Sequence, residues 1–127
     1  MPNKTDESKI KVCFILPSLA AGGAERVLIT LMNSLNRDEF APVFITISEN
    51  GPMRTFIDPD IHFHSLKGKK VSLAMPRLFL KLKELNPDIV ISTMAHLNFC
   101  ILMLSPFFPK TRFIVREAVT PSYFFNK

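Results

Sequence analysis

Tryptophan is absent from this chain, tyrosine occurs once, glycine four times and cysteine twice in 127 residues. Two cysteines make no disulfide framework. Cys13 and Cys100 lie far apart in apolar runs without metal-ligand spacing, so no metal is expected. Buried free thiols suit a reducing, cytoplasmic compartment. Long hydrophobic runs are also missing. The longest, Phe99 to Phe108, is broken by Ser105 and Pro106 and is far short of the roughly 20 residues of a spanning helix. The first ten residues, MPNKTDESKI, are polar and contain no apolar core of a secretory signal. No internal repeat is evident. Basic residues are not interleaved with aromatics and no known binding module is present, which argues against nucleic acid as a partner.

Apolar residues make up 47% of the chain and charged residues 21%, the balance of a globular protein rather than a disordered one. The length suits one domain. Twelve phenylalanines point to a greasy core or a partly exposed apolar face. Sixteen basic against eleven acidic residues give a formal charge of +5, which favours anionic partners such as nucleotide phosphates and phospholipid headgroups.

The hydrophobic pattern predicts β-α-β-β-α-β-α-β. Residues 1–9 read as a disordered tail and 10–127 as one domain. Lys11–Leu16, Val43–Ile47 and Ile89–Thr93 are continuously apolar, as strands covered on both faces are. Ile61–Leu66 alternates and suits an edge strand, and Arg112–Arg116 is a fifth strand. Helices are expected over Gly23–Leu35, with Ala24, Val27, Leu28, Leu31, Met32 and Leu35 inward, over Met75–Asn86, with Pro76 in its first turn, and over Ala95–Leu104. Met53–Ile57 reads as a short helical turn. The fold class is therefore α/β, a doubly wound parallel sheet of Rossmann-like type in strand order 3-2-1-4-5. Ligands of such sheets bind at the carboxyl ends of strands beside the switch point, so the loops after Leu16 and Thr93 should line one crevice.

The first of those loops, Ser18-Leu19-Ala20-Ala21-Gly22-Gly23, leads straight into a helix. Free amides at a glycine-entered helix N-terminus accept an anion, so Gly22 and Gly23 are candidate phosphate ligands. Equally, the glycines serve the turn alone. The loop fits neither GxGxxG nor GxxxxGK[ST]. However, a strand, then Pro17-Ser18-Leu19, then Gly22-Gly23-Ala24-Glu25-Arg26-Val27, resembles the opening of glycosyltransferase family 4. These are retaining enzymes of the GT-B fold that use a nucleoside diphosphate sugar as donor and no metal.

That resemblance runs from Lys11 onward and covers the first half of such an enzyme. It implies that the Gly22 and Gly23 backbone meets the donor diphosphate. Glu25 either stabilises the helix dipole or accepts a hydroxyl of the acceptor. Arg26 either pairs with phosphate or is solvated. His96 and Asn98 open an apolar helix after the fourth strand; they either cap it or bind acceptor and handle a proton. His96 has no Asp–Ser partner for a hydrolase triad. Arg116-Glu117, with Pro121-Ser122 beyond, resembles a stretch at the same place in the family, and either binds acceptor or forms a surface ion pair. His96 and Glu117 are the catalytic candidates. Lys67, Lys69, Lys70, Arg77, Lys81 and Lys83 form a basic face that is either solvated or drawn to anionic lipid at the inner face of a membrane.

The family's donor domain carries an acidic motif of paired glutamates that has no counterpart here. The expectation is a transferase domain incomplete at its C-terminus, inactive without a second domain or subunit, with a saccharide or lipid-linked acceptor. Phe107, Phe108, Tyr123, Phe124 and Phe125 are expected to be exposed where missing parts pack. The rival reading is a non-catalytic α/β module that binds a nucleotide or a partner.

Overall fold

A computed structural model describes residues 9–19, 22–49, 51–93 and 95–116. The expected tail, apart from Lys9, lies outside these, as do Glu117, Tyr123, Phe124 and Phe125. Five strands, β1 (Ile10–Leu16), β2 (Phe40–Thr46), β3 (His62–Ser65), β4 (Ile89–Thr93) and β5 (Arg112–Arg116), form one parallel sheet in the order 3-2-1-4-5. Helices α1 (Gly23–Asn33), α2 (Val71–Leu85) and α3 (Ala95–Leu104) connect them.

Side-chain alternation along the strands divides the interior into two cores. Cys13 and Ile15 of β1, Ile45 of β2 and Val90 of β4 face α2 and α3, which contribute Ala74, Leu78, Leu82, Leu97 and Ile101. Val12, Phe14 and Leu16 face the opposite way, onto Leu28, Ile29 and Met32 of α1. A strand covered on both sides must be apolar at every position, which accounts for the unbroken Val12–Leu16 run. The chain leaves β1 toward one edge and returns through α2 to β4, on the other side of β1. The switch point therefore falls between β1 and β4.

Four expectations need correction. Helix α2 starts at Val71, not Met75, so Pro76 lies inside it rather than in its first turn. The ring removes one backbone hydrogen bond, and the helix tolerates this because Leu78 and Leu82 are sealed into the core. Helix α1 ends at Asn33 and turns differently about its axis: Glu25, Leu28, Ile29 and Met32 point inward, and Val27 and Leu31 are exposed. Strand β2 begins at Phe40 and includes Pro42. The missing amide is tolerated because pairing with β3 starts only at Val43. Phe108 is buried, wedged against Phe79 and Phe113 beneath the Lys83 ammonium, whereas Phe107 is exposed.

Asn86 ends α2 in the left-handed conformation, φ 47°, donating its amide to Leu82, and Pro87 prevents continuation. Asp88 then ties three strands together. Its amide donates to Lys11, its carboxylate accepts from the Lys11 amide at 2.8 Å, and its carbonyl accepts from Arg112.

Candidate functional site

Register places the carboxyl ends of all five strands in one row: Leu16 beside Thr46, Thr46 beside Ser65, and Thr93 beside Arg116, with Ile15 opposite Ser92. This rim is polar where the strands are not. The loop after β1 is pinned along it. Ile47 donates its amide to the Leu16 carbonyl, Ser48 to Pro17 and Met53 to Leu19, at 3.0–3.1 Å. Leu19 is fully buried, so the side chain anchors the loop from below.

Gly22 is the N-cap of α1, with extended backbone and no capping side chain. The helical ladder begins with the Arg26 amide donating to Gly22 at 3.1 Å. The amides of Gly23 through Glu25 therefore precede it and carry the positive end of the dipole. The two glycines differ sharply in surroundings. A methyl at Gly23 meets nothing within 4 Å, so the backbone there is open. A methyl at Gly22 overlaps the Glu25 carboxylate, whose Cδ stands 3.3 Å from that position. Glu25 is 5% exposed and folds back over the helix entrance. Sequence periodicity could not show this, because it placed Val27 and Leu31 rather than Glu25 on the inward face.

On the other side of the switch point, α3 follows β4 directly. His96 is its second residue. Asn98, 3% exposed, accepts a 2.7 Å hydrogen bond from Ser92 Oγ and so ties the first turn of α3 to β4. Ser92 was not among the candidates. Its only sequence signal was a hydroxyl inside an apolar strand. Arg116 ends β5 beside Thr93. The structure thus brings the backbones of Gly22, Gly23, His96 and Arg116 to one edge of the sheet.

The loop Lys67–Lys70 reaches the same edge two strands further out. Gly68 donates its amide to Ile47 at 2.7 Å, and a methyl placed on it would stand 3.2 Å from Ala74 Cβ, while Lys67 takes φ 52°. Of the basic residues on α2, Arg77 caps the Leu66 carbonyl, Lys81 is half-buried against Glu84, and Lys83 lies over Phe108. Burial, with Lys81 and His62 nearby, pushes the His64 imidazole below its ordinary value. Among the described residues no group of three or more His, Cys, Asp or Glu could hold a metal ion. No helix among them is long and apolar enough to cross a membrane.

No protein-family model matches the chain. It is similar to the N-acetylgalactosamine-N,N'-diacetylbacillosaminyl-diphospho-undecaprenol 4-alpha-N-acetylgalactosaminyltransferase of Campylobacter jejuni, with 31% identity over 128 residues. The match takes in 92% of this chain and 34% of that protein, so the chain spans about a third of the length of the relative it matches. A glycosyltransferase-like chain on a Rossmann-like sheet is what fold and similarity together support.

Proposed function

We propose that this chain is the acceptor-side, Rossmann-like domain of a retaining, family 4 transferase of the GT-B fold. The intact enzyme transfers a sugar from a nucleoside diphosphate donor to a hydroxyl of a saccharide or lipid-linked acceptor. The observation that carries this reading is the open backbone at Gly23, at the dipole end of α1 and on the ligand edge beside the switch point. The similarity to a transferase whose named substrate is a diphospho-undecaprenol saccharide supports the acceptor class.

In this reading the Gly22 and Gly23 amides receive diphosphate and Glu25 accepts a hydroxyl once the cleft is filled. His96, Arg116 and Glu117 meet the acceptor, with His96 and Glu117 the candidates for proton handling. Asn98 acts through Ser92 by fixing where α3 begins. The activity requires a second domain or subunit that supplies most of the donor site. Contact with a membrane is peripheral, through the basic loop and the outward leucines of α2, on the cytoplasmic side.

The test is calorimetric titration of the full chain with UDP and GDP, repeated on Gly23→Val. Weak binding by the native chain that falls at least fivefold in the variant, with an unchanged melt, supports the phosphate role. Equal binding by both overturns it. The rival, a non-catalytic binding module, draws support from two cores that close on both faces of the sheet. A stable monomer, by thermal melt and on a sizing column, would favour it.

A further inference from the structure

A cavity of about 200 Å³ lies between α1 and the short helical turn Met53–Phe56, beside the site described above. Its floor is apolar: Ile29 and Met53 line it, and both are buried. Along one wall run Arg26, Thr30 and Asn33, four and three residues apart on one stripe of α1. The opposite wall is Phe56, 59% exposed. Asn33 fastens the two walls together. Its Nδ2 donates to the Phe56 carbonyl at 2.7 Å, and its Oδ1 accepts from the Asp58 amide at 3.1 Å. Met53 ties the turn to the loop after β1, donating its amide to Leu19 at 3.0 Å. The cavity is therefore shaped by fixed elements, and it starts at Arg26, about 6 Å along the helix axis from Gly22.

We propose that this cavity is a saccharide subsite, which seats a sugar of the acceptor next to the one that reacts. This rests on the acceptor reading above and extends it to an acceptor of two or more sugars. A pyranose presents a face of C–H bonds and a rim of hydroxyls. The exposed Phe56 ring suits the face. The Arg26 guanidinium, as donor, and the Thr30 hydroxyl, as donor or acceptor, suit the rim. Phe56 belongs to neither core, so its ring adds nothing to the packing of the sheet. A nucleobase fits the cavity less well. Its edge needs paired donors and acceptors, and the side-chain amide that lines the cavity, Asn33, has both atoms committed to backbone.

The experiment applies the full chain to an array of immobilised di- and trisaccharides of hexoses and N-acetylhexosamines. The best-retained member is then titrated by calorimetry into the native chain and into Phe56→Ser, Thr30→Val and Arg26→Gln. UDP is titrated into the same proteins, with Gly23→Val in parallel. The native chain should retain at least one member of the array. Losing the ring should weaken that binding roughly tenfold, and each polar change roughly two- to tenfold. All three side chains are exposed, so the melts should hold. Saccharide binding that none of the three variants alters overturns the subsite and leaves the acceptor reading standing. Absence of binding to every member of the array also overturns it; UDP binding that Gly23→Val still lowers then shows that the donor side of the proposed function survives. UDP binding weakened by Phe56→Ser would make the cavity a nucleobase slot and overturn the saccharide assignment.

Discussion

Ser92 donates its hydroxyl to the Asn98 side-chain oxygen across 2.7 Å, with both residues almost wholly out of solvent. One lies on the strand and the other on the helix that flank the switch point, so the bond sets where the first turn of α3 sits on the sheet. Ser92→Ala leaves the Asn98 amide short of a partner in an apolar setting. A loss of about 1–3 kcal/mol follows from an orphaned buried polar group. Asn98→Ala should cost as much or more, and the double variant less than the sum. Urea unfolding of the four forms checks this; strict additivity would show the bond to be energetically silent.

A second prediction concerns the loop between β2 and β3. Arg37 donates to the carbonyls of Asn33 and Leu35, and to Asp60 at 2.8 Å and Asp58 at 3.1 Å. It thereby fastens the end of α1 to the turn before β3. The Arg37 hydrogen bond holds the Asp60 carboxyl below the usual range. A depressed carboxylate contributes stability that is present above about pH 4 and lost as pH falls through the folded value. Asp60 is largely exposed, so Asp60→Asn should cost under about 1 kcal/mol at pH 7 and nothing at the acid end. Arg37→Ala should cost about 1–3 kcal/mol at both, since the freed carbonyls do not titrate. Denaturant titrations at pH 7 and pH 3 separate the two.

The arrangement of the sheet was legible because Val12–Leu16, Phe44–Ile47 and Ile89–Ile91 can only be strands buried on both faces. The bounds of α3 and β5 were legible because polar or proline residues break the pattern sharply. What escaped were cases where tertiary packing overrides a local rule. Pro76 reads as a helix start, yet Leu78 and Leu82 hold the helix through it. Phe108 reads as one more exposed aromatic beside Phe107, and only the fold shows it filling the gap between Phe79 and Phe113. At the site, the glycine entrance was visible in sequence. The position of Glu25 depends on a rotation of α1 that Val27 and Leu31, as apolar as their buried neighbours, concealed.

Cys13 offers a kinetic check on the packing. It is fully buried between β2 and β4, and desolvation pushes its thiol well above the ordinary cysteine value. The thiolate is the reactive form, so the native protein should leave Cys13 unmodified by iodoacetamide at pH 8. Modification should appear only at the rate of unfolding and jump in urea. Mass spectrometry of the labelled peptide measures this. Rapid native labelling of Cys13 would mean that the centre of the sheet opens far more readily than its burial implies.

The outer surface of α2 makes the last prediction. Leu73 and Leu80 are 72% and 66% exposed, two turns apart on one stripe, and Phe107 beside its far end is 57% exposed. Lys69 and Lys70 stand at the start of the same helix, exposed. Apolar residues in water next to lysines suit the headgroup boundary of an anionic bilayer. The chain should sediment with vesicles containing phosphatidylglycerol and not with purely neutral ones. Each leucine inserted contributes on the order of 1–2 kcal/mol, so Leu73→Gln with Leu80→Gln should weaken binding roughly 30- to 1000-fold. Each basic residue adds about 1 kcal/mol, screened by salt. Lys69→Gln with Lys70→Gln should therefore weaken binding about thirtyfold at low ionic strength and little in high salt. Because all four side chains lie outside both cores, the melting temperature should hold in every variant. Equal sedimentation with neutral and anionic vesicles, or none lost on removing the leucines, would assign this surface to contact with protein instead.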